Sequence, residues 1–286
     1  MLKITDNLNL KDIYDFQLSF DSPYFFNTDF EEWKNSFESD IDGEGRTLFN
    51  ELNVKAIHEK EELLGFVQYG KTAFGFDESG EISNKVSYPV VRNLYFAKDR
   101  KDVGQILLNE AMNSFENNER IYAFFHYFGM TCFARHGKLF ETHAHIESLL
   151  KQNGFEVEHE NVYYSSVLRD VENSEVLITA KDLTKGNQQY IDFKIKDNHV
   201  GGCEVHYLSN TIVYLRWIYV NADIVGKGIG TKCMNALKSF LYEKGIKRFD
   251  TDTALNNRVA QHYYEKNNFI REGVTRSHLK TKIRCN

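Results

Sequence analysis

The chain has 286 residues, 42% of them hydrophobic and 27% charged, with a formal net charge of −6. That length leaves room for two domains of ordinary size, and the composition is globular rather than disordered or fibrous. No apolar run is long enough to span a membrane, the N-terminus lacks a signal-peptide core, and no basic-aromatic interleaving points to nucleic acid. A cytoplasmic protein with neither membrane nor nucleic-acid partners is therefore expected. The four cysteines (Cys132, Cys203, Cys233, Cys285) are scattered, without C-x-x-C spacing. Free thiols in a reducing compartment fit that pattern better than a disulfide frame or a zinc site, and no metal is expected.

Charge is uneven along the chain. Residues 1–170 hold 17 Lys and Arg against 29 Asp and Glu, a net −12, whereas residues 171–286 hold 18 against 12, a net +6. A basic C-terminal half suits an anionic ligand and an acidic N-terminal half a cationic one; the simpler reading is that surface charge keeps the chain soluble.

In chain order, Leu10 to Leu18 and Phe30 to Phe37 read as helices, and Tyr88 to Phe96 as a strand. Asp102 to Phe115 reads as a helix with Val103, Ile106, Leu107 and Met112 roughly on one face. Ile121 to Phe125 is a short buried strand whose aromatic run continues to Phe128, as a strand exit or as the wall of an acceptor pocket. His143 and His145 stand two apart at the start of a helix, where they do not face one another, which argues against a metal pair. That helix ends in Asn153-Gly154-Phe155, and a strand follows from Val162 to Leu168. Residues 170–187, polar and with Gly186, read as a linker, so the expected domains are residues 1–168 and 175–286.

The C-terminal half carries the chemistry. Glu204 and His206 share a face of an expected strand, and Ile212 to Val220 is an apolar strand. Gly226-Lys227-Gly228-Ile229-Gly230 follows, opening a helix from Thr231 to Tyr242. A glycine loop at a helix N-terminus lets backbone N–H groups crowd an anion, with the helix dipole adding positive potential and Lys227 a full charge. A P-loop needs Gly-Lys-Ser/Thr, but Gly230 is followed by Thr231 and Lys232. A dinucleotide fingerprint fits imperfectly, although Asp250 lies about where a ribose-binding acid belongs. A plain glycine turn without ligand is the third reading. A strand from Ile246 to Thr253 places Asp250 and Asp252 on one face, and Asn257 to Phe269 follows.

Residues Val213 to Glu272 resemble the GNAT superfamily of acyl-CoA N-acyltransferases. The family's loop, Arg/Gln-x-x-Gly-x-Gly/Ala, matches Val225 to Gly230, with Gly228 and Gly230 as the two required glycines. Its later pattern, Asn-x-x-Ala-x-x-x-Tyr-Glu-Lys-x-Gly-Phe, matches Asn257, Ala260, Tyr264, Glu265, Lys266 and Phe269. Val225 replaces the family's Arg or Gln, which removes one side chain from the loop. Asn268 replaces the glycine before Phe269, and Asn tolerates the left-handed conformation a helix C-terminus often needs.

The resemblance implies an α/β fold of two tandem GNAT-like domains, each a mixed, mainly antiparallel sheet flanked by helices. Leu10–Leu18 and Phe30–Phe37 match the family's two early helices, which the C-terminal half lacks; the N-terminal domain would then wall the acceptor site. The N-terminal copy has lost the chemistry: Arg100 and Asp102 stand opposite Gly226 and Gly228, and Leu150 opposite Tyr264. Acetyl-CoA is the implied co-substrate, held by Val225, Gly226, Lys227, Gly228, Ile229, Gly230 and Thr231, with Asn257 touching coenzyme A or ordered water. The backbone of Ile218, Tyr219 and Val220 would pair with the pantetheine arm and supply an oxyanion donor, and Tyr264 would protonate the departing thiolate. The strand Thr211 to Val220 holds no acid, so the base is sought at Glu204 and Asp252.

The expected reaction is acetyl transfer to the primary amine of a small molecule, by a chain that could also form a homodimer. A non-catalytic module sensing acyl-CoA or an amine is the alternative, with Val225 and the unassigned base in its favour. An NAD(P)-binding protein would rest on the glycine loop alone.

Overall fold

The computed structural model describes residues 2–5, 8–25, 28–41, 45–115, 120–130, 137–169, 175–183 and 187–281. Cys132, Cys285 and Gly186 lie outside them. Two compact units divide the chain, residues 1–160 with 275–286 and residues 161–274.

The first unit runs β1 (Leu2–Thr5), α1 (Leu10–Leu18), α2 (Phe30–Ser39), β2 (Phe49–Glu59), β3 (Glu62–Thr72), a small hairpin of β4 (Gly75–Phe76) and β5 (Ile82–Ser83), β6 (Pro89–Phe96), α3 (Lys101–Ser114), β7 (Arg120–Ala123), β8 (Leu139–Phe140) and α4 (Ala144–Gln152). Both early helices start where sequence capping dictates: Asn9 accepts the Lys11 N–H and Asp29 the Glu32 N–H, each at 3.0 Å. They bury Ile13, Tyr14 and Gln17 on α1 and Trp33, Ser36 and Phe37 on α2, and Trp33 Nε1 donates to Gln17 Oε1 at 2.9 Å. The strands pair antiparallel from β1 through β2 and β3 to β6, and β6 pairs parallel with β7. All eight residues of β6 are buried, so its sequence reads as a continuous run rather than an alternation.

A register shift opposite Gln68 and Tyr69 bulges β6 at Arg92. The Arg92 side chain is buried and fully used. It donates to Asp40 Oδ2 at 2.7 Å and to the carbonyls of Phe128, Ser36 and Gly129 at 3.0–3.1 Å. Pairing of β6 with β7 stops at Val91–Ala123, and the next residue, Phe124, turns away at φ 52°.

The second unit takes the later part of β9 (Glu156–Val167) and then β10 (Val176–Asp182), β11 (Gln188–Ile195), β12 (Asn198–Tyr207), β13 (Ile212–Val220), α5 (Ile229–Glu243), β14 (Arg248–Ala254), α6 (Arg258–Lys266) and the start of β15 (Ile270–Thr281). From β10 to β13 the strands are antiparallel neighbours, β13 pairs parallel with β14, and β14 pairs antiparallel with residues 161–167 of β9. One face of this sheet packs Ile191, Phe193, Cys203, Val205, Val213, Leu215 and Phe249 with Cys233, Met234 and Leu237 of α5. Among its described residues, α5 and α6 are the only α-helices.

Two features differ from the sequence reading. The span 170–187 is not merely a linker: β10 lies within it and pairs along its whole length with β11. Its Val176-Leu177-Ile178-Thr179 run carries the apolar, β-branched signal of a strand, which the reading of the span as polar passed over. The compact units also do not divide at 168. Residues 161–167 of β9 pair with β14, whereas residues 278–281 of β15 pair with β7. Each unit thus closes its sheet with a strand that follows the helix of the other sequence half, a choice no local pattern encodes.

The two helix ends repeat in detail. Phe155 N–H bonds to the Leu150 carbonyl after Gly154 at φ 82°, and Phe269 N–H to the Tyr264 carbonyl after Asn268 at φ 61°, both at 3.1 Å. Asn268 adopts the left-handed conformation expected of it.

Candidate active site

The site grows from an irregularity in β13. Glu204 faces Trp217 across β12 and β13, but Val205 faces Leu215, so Arg216 is the extra residue of a bulge. Parallel pairing of β13 with β14 ends at Leu215–Thr251, where Thr251 Oγ1 donates to the Leu215 carbonyl at 3.1 Å. Beyond that point Trp217 to Val220 pair with β12 alone among the described pairings. The bulge also sets the faces. Ile218 and Val220 pack on the core with α5, while Trp217 and Tyr219 turn to the other side of the sheet. Arg216 on β13 and Arg92 on β6 occupy the same bulge in the two halves, a repeat the sequence reading did not align.

The glycine loop leads from β13 to α5. Gly226 (φ 82°) and Gly228 (φ 77°) are both left-handed, and a Cβ on either would meet nothing within 4 Å. They are glycine for backbone conformation, in an open, exposed loop. Gly228 is the N-cap of α5 and offers no capping side chain, so the N–H groups of Ile229, Gly230 and Thr231 face out of the helix end without intrahelical acceptors. Gly230 serves packing. Its added Cβ would lie 3.2 Å from the Tyr263 ring, whose hydroxyl donates to the Gly230 carbonyl at 2.8 Å. Val225 is 63% exposed, and Lys227 Nζ donates to the Asp223 carbonyl at 2.9 Å.

The corresponding turn of the first unit is built differently. Only residues 97–100 join β6 to α3. Arg100 grips Asp102 through Nε–Oδ1 at 3.1 Å and Nη2–Oδ2 at 3.0 Å, which holds that carboxyl below its ordinary range. Gly104 lies inside α3 against the Phe96 ring. A carboxylate in the first turn of α3 occupies the place an anion would need.

Helix α6 brings Tyr264 to the second unit's core. Asn257 caps the helix, its Oδ1 accepting the Ala260 N–H at 3.1 Å. Tyr264 is 6% exposed, with ring centroids 5.7 Å from Tyr164 and 5.6 Å from Phe269. Burial lifts its phenol above the ordinary range, and the Asp252 carboxylate adds to that against the pull of the Thr251 hydroxyl. The far end of α6 is held by Lys238, whose Nζ donates to the Asn267 carbonyl at 2.6 Å and to Ser166 Oγ at 2.8 Å.

The acids sort themselves by partners. Glu204 is buried and accepts from His206 Nε2 at 2.6 Å, Arg216 Nη1 at 2.9 Å and Trp217 Nε1 at 3.0 Å. Burial acts to raise its carboxyl, but His206 and Arg216 together hold it below the ordinary range. A carboxylate so engaged is a poor proton acceptor. Asp250 is fully buried between Tyr163 Oη at 2.5 Å and Arg248 Nε at 2.8 Å, and burial pushes its carboxyl up to about 6 despite them. Asp252 stands one residue past the last β13–β14 pair, half-buried, with Oδ1 accepting from Tyr214 Oη at 2.7 Å. Of the acids named from sequence, Asp252 alone is placed at the opening between the strands.

His143 stacks on Phe25 and burial pulls its imidazole down to about 4, while His145 Nε2 lies 3.1 Å from the Phe96 carbonyl. Among the described residues no group of three or more His, Cys, Asp or Glu is placed to hold a metal ion. No helix there is long and apolar enough to cross a membrane.

Residues 157–269 match the model of the acetyltransferase (GNAT) family. A search of curated protein sequences found no match. Among solved structures, a tandem GNAT protein from the clavulanic acid biosynthesis pathway superposes with a TM-score of 0.63 at 9% identity, covering 98% of both chains. A GCN5-related N-acetyltransferase from Sphaerobacter thermophilus gives 0.60 at 11% identity, covering 98% of this chain and 95% of that one. A GCN5-related glucosamine N-acetyltransferase region of a fungal multi-domain GH3 beta-N-acetylglucosaminidase gives 0.62 at 10% identity, covering 98% of this chain and 38% of that one. Residues 157–269 thus match the GNAT family's acetyltransferase domain, and the chain as a whole shares the fold of tandem GNAT proteins.

Proposed function

We propose that the second unit transfers an acetyl group from acetyl-CoA to the primary amine of a small molecule. What carries this reading is the separation of β13 from β14 after Leu215 and Thr251, with the Gly226–Gly230 loop at the end of the same strand. The separated edge offers backbone hydrogen bonds to an extended amide chain, and the outward N–H groups of Ile229, Gly230 and Thr231 suit a pyrophosphate. Lys227 and Thr231 border that place, and Asn257 caps the neighbouring helix. The absence of a long side chain at Val225 leaves pyrophosphate binding to backbone donors and lysine.

The residues divide the chemistry as follows. A free alkyl amine has a pKa of about 10.4 and must lose a proton before it attacks. Asp252, directly or through one water, takes that proton as the nitrogen bonds to the thioester carbonyl carbon. A backbone N–H along Ile218 to Val220 stabilises the oxygen of the tetrahedral intermediate. As the carbon–sulfur bond breaks, the Tyr264 hydroxyl passes its proton to sulfur, and solvent restores it. Its raised pKa keeps the phenol protonated at neutral pH, the state a donor needs. Glu204 acts through Arg216 and Trp217, by fixing the bulge.

Thiol release from acetyl-CoA in a panel of primary amines tests the reading. Release that depends on an added amine is expected. Acetyl-CoA binding without release for any amine favours the sensing module.

A further inference from the structure

The outer edge of β10 takes no part in the proposed chemistry. Among the described strands β10 pairs with β11 alone, from Val176–Ile195 to Asp182–Gln189, without a bulge. Leu183 N–H donates to the Gln188 carbonyl at 3.0 Å, directly across the same register. The next ladder has the matching phase, with Tyr207 N–H on the Asn187 carbonyl at 2.7 Å. Bonded and non-bonded pairs alternate in an antiparallel ladder, so Leu177, Thr179 and Lys181 turn their N–H and C=O groups to β11. Ile178 and Ala180, between them, turn theirs to the outer edge. Ile178 packs its side chain on the core, and Leu177, on the opposite face, is 59% exposed. Val176 to Ala180 contain neither a proline nor a charge, two of the devices that blunt a free edge.

A second copy of the same edge supplies the complement. A two-fold axis through Ile178 sets this residue opposite itself as a bonded pair that exchanges two backbone hydrogen bonds. The same axis sets Glu175 opposite Lys181 at both ends, in non-bonded pairs whose Cα atoms approach to about 4.5 Å and whose side chains meet. Leu177 then faces Thr179 of the second copy and, on the diagonal, its Leu177, which covers the exposed side chain. Other centres fit worse. Leu177 and Thr179 already spend their backbone groups on β11. An axis through Val176 puts Glu175 opposite Leu177, and one through Ala180 puts Ile178 opposite Asp182. Glu175 is exposed and meets Lys232 of α5 through Oε1, and its second oxygen can take Lys181.

We propose that β10 is a self-association edge, through which two copies of this chain join as an antiparallel two-fold pair in the Ile178-centred register. The contact uses the same surface on both copies, so it closes at the dimer. A stable interface takes about 20–30 residues a side. One strand edge supplies far fewer, so the dimer is weak and forms as protein concentration rises. The inference is independent of the acyl-transfer reading.

Sedimentation velocity of the full chain from about 1 µM to about 1 mM spans the dissociation constants of weak dimers. The wild type is expected to pass from monomer to dimer across that range. Glu175→Lys and Lys181→Glu each place like charges opposite one another at both ends, and each should weaken self-association about tenfold or more. An equimolar mixture of the two variants restores both opposite-charge pairs and should associate as the wild type does. Both side chains are exposed, and losing the exposed Glu175–Lys232 pair costs little stability, so melting points near that of the wild type confirm folding. In the wild type, amide exchange at Ile178 should slow as the dimer forms, while Thr179, already bonded to β11, should not change. The inference is overturned by a wild type that stays monomeric throughout, by variants that associate like the wild type, by a mixture as weak as its components, or by a dimer that leaves Ile178 exchange unaltered.

Discussion

Tyr264→Phe is expected to lower kcat by about 10²- to 10⁴-fold, the usual contribution of a positioned proton donor, with little change in acetyl-CoA affinity or melting temperature. The substitution keeps the ring that packs on Tyr164 and Phe269 and removes only the hydroxyl. A residue present only for packing would give the opposite result, an unchanged kcat. Steady-state thiol release separates the two. A donor thioester with an aryl thiol leaving group sharpens the test, since a stable thiolate needs no proton from the enzyme. The Tyr264→Phe defect should largely disappear with that donor.

Asp252→Asn should reduce kcat/KM for an alkyl amine by about 100-fold at neutral pH. Asn keeps an oxygen to accept the Tyr214 hydroxyl, so the 2.7 Å contact can persist while the proton acceptor is lost. The deficit should shrink as pH rises toward about 10.4, where the amine deprotonates without help. A purely structural carboxylate would instead give a deficit independent of pH. The pH profile of kcat/KM over that range is the deciding measurement.

Much of this arrangement is legible in the sequence because it is local. Helix α1 spans the residues read for it, Leu10 to Leu18, and β13 spans the residues its apolar run marks. The glycine loop announces its backbone through residue type, and Asn268 announces a left-handed helix end. What escaped is non-local. The bulge at Arg216 shifts Trp217 and Tyr219 off the strict alternation begun by Tyr214, so the face these two rings share has no period to detect. Glu204 and Asp252 look equivalent as letters. Their difference lies in donors that sit 2, 12 and 13 positions from Glu204 and converge only when β12 meets β13. The allotment of β9 and β15 to their sheets is likewise a matter of pairing between distant segments, invisible to propensity.

The Gly226–Gly230 loop as the coenzyme site is the central claim, and melting of the wild type and Gly228→Asp with saturating acetyl-CoA tests it most directly. The variant puts a carboxylate at the N-terminus of α5 and a side chain on a residue at φ 77°, a strain of about 1–2 kcal/mol, so its ligand-free melting point is the reference for its own shift. A ligand that binds only the folded state at 100 times its Kd stabilises it by about 2.7 kcal/mol. The account predicts a rise of several degrees in the wild type and none in the variant. Equal rises in both proteins, or no rise in a folded wild type, would contradict it.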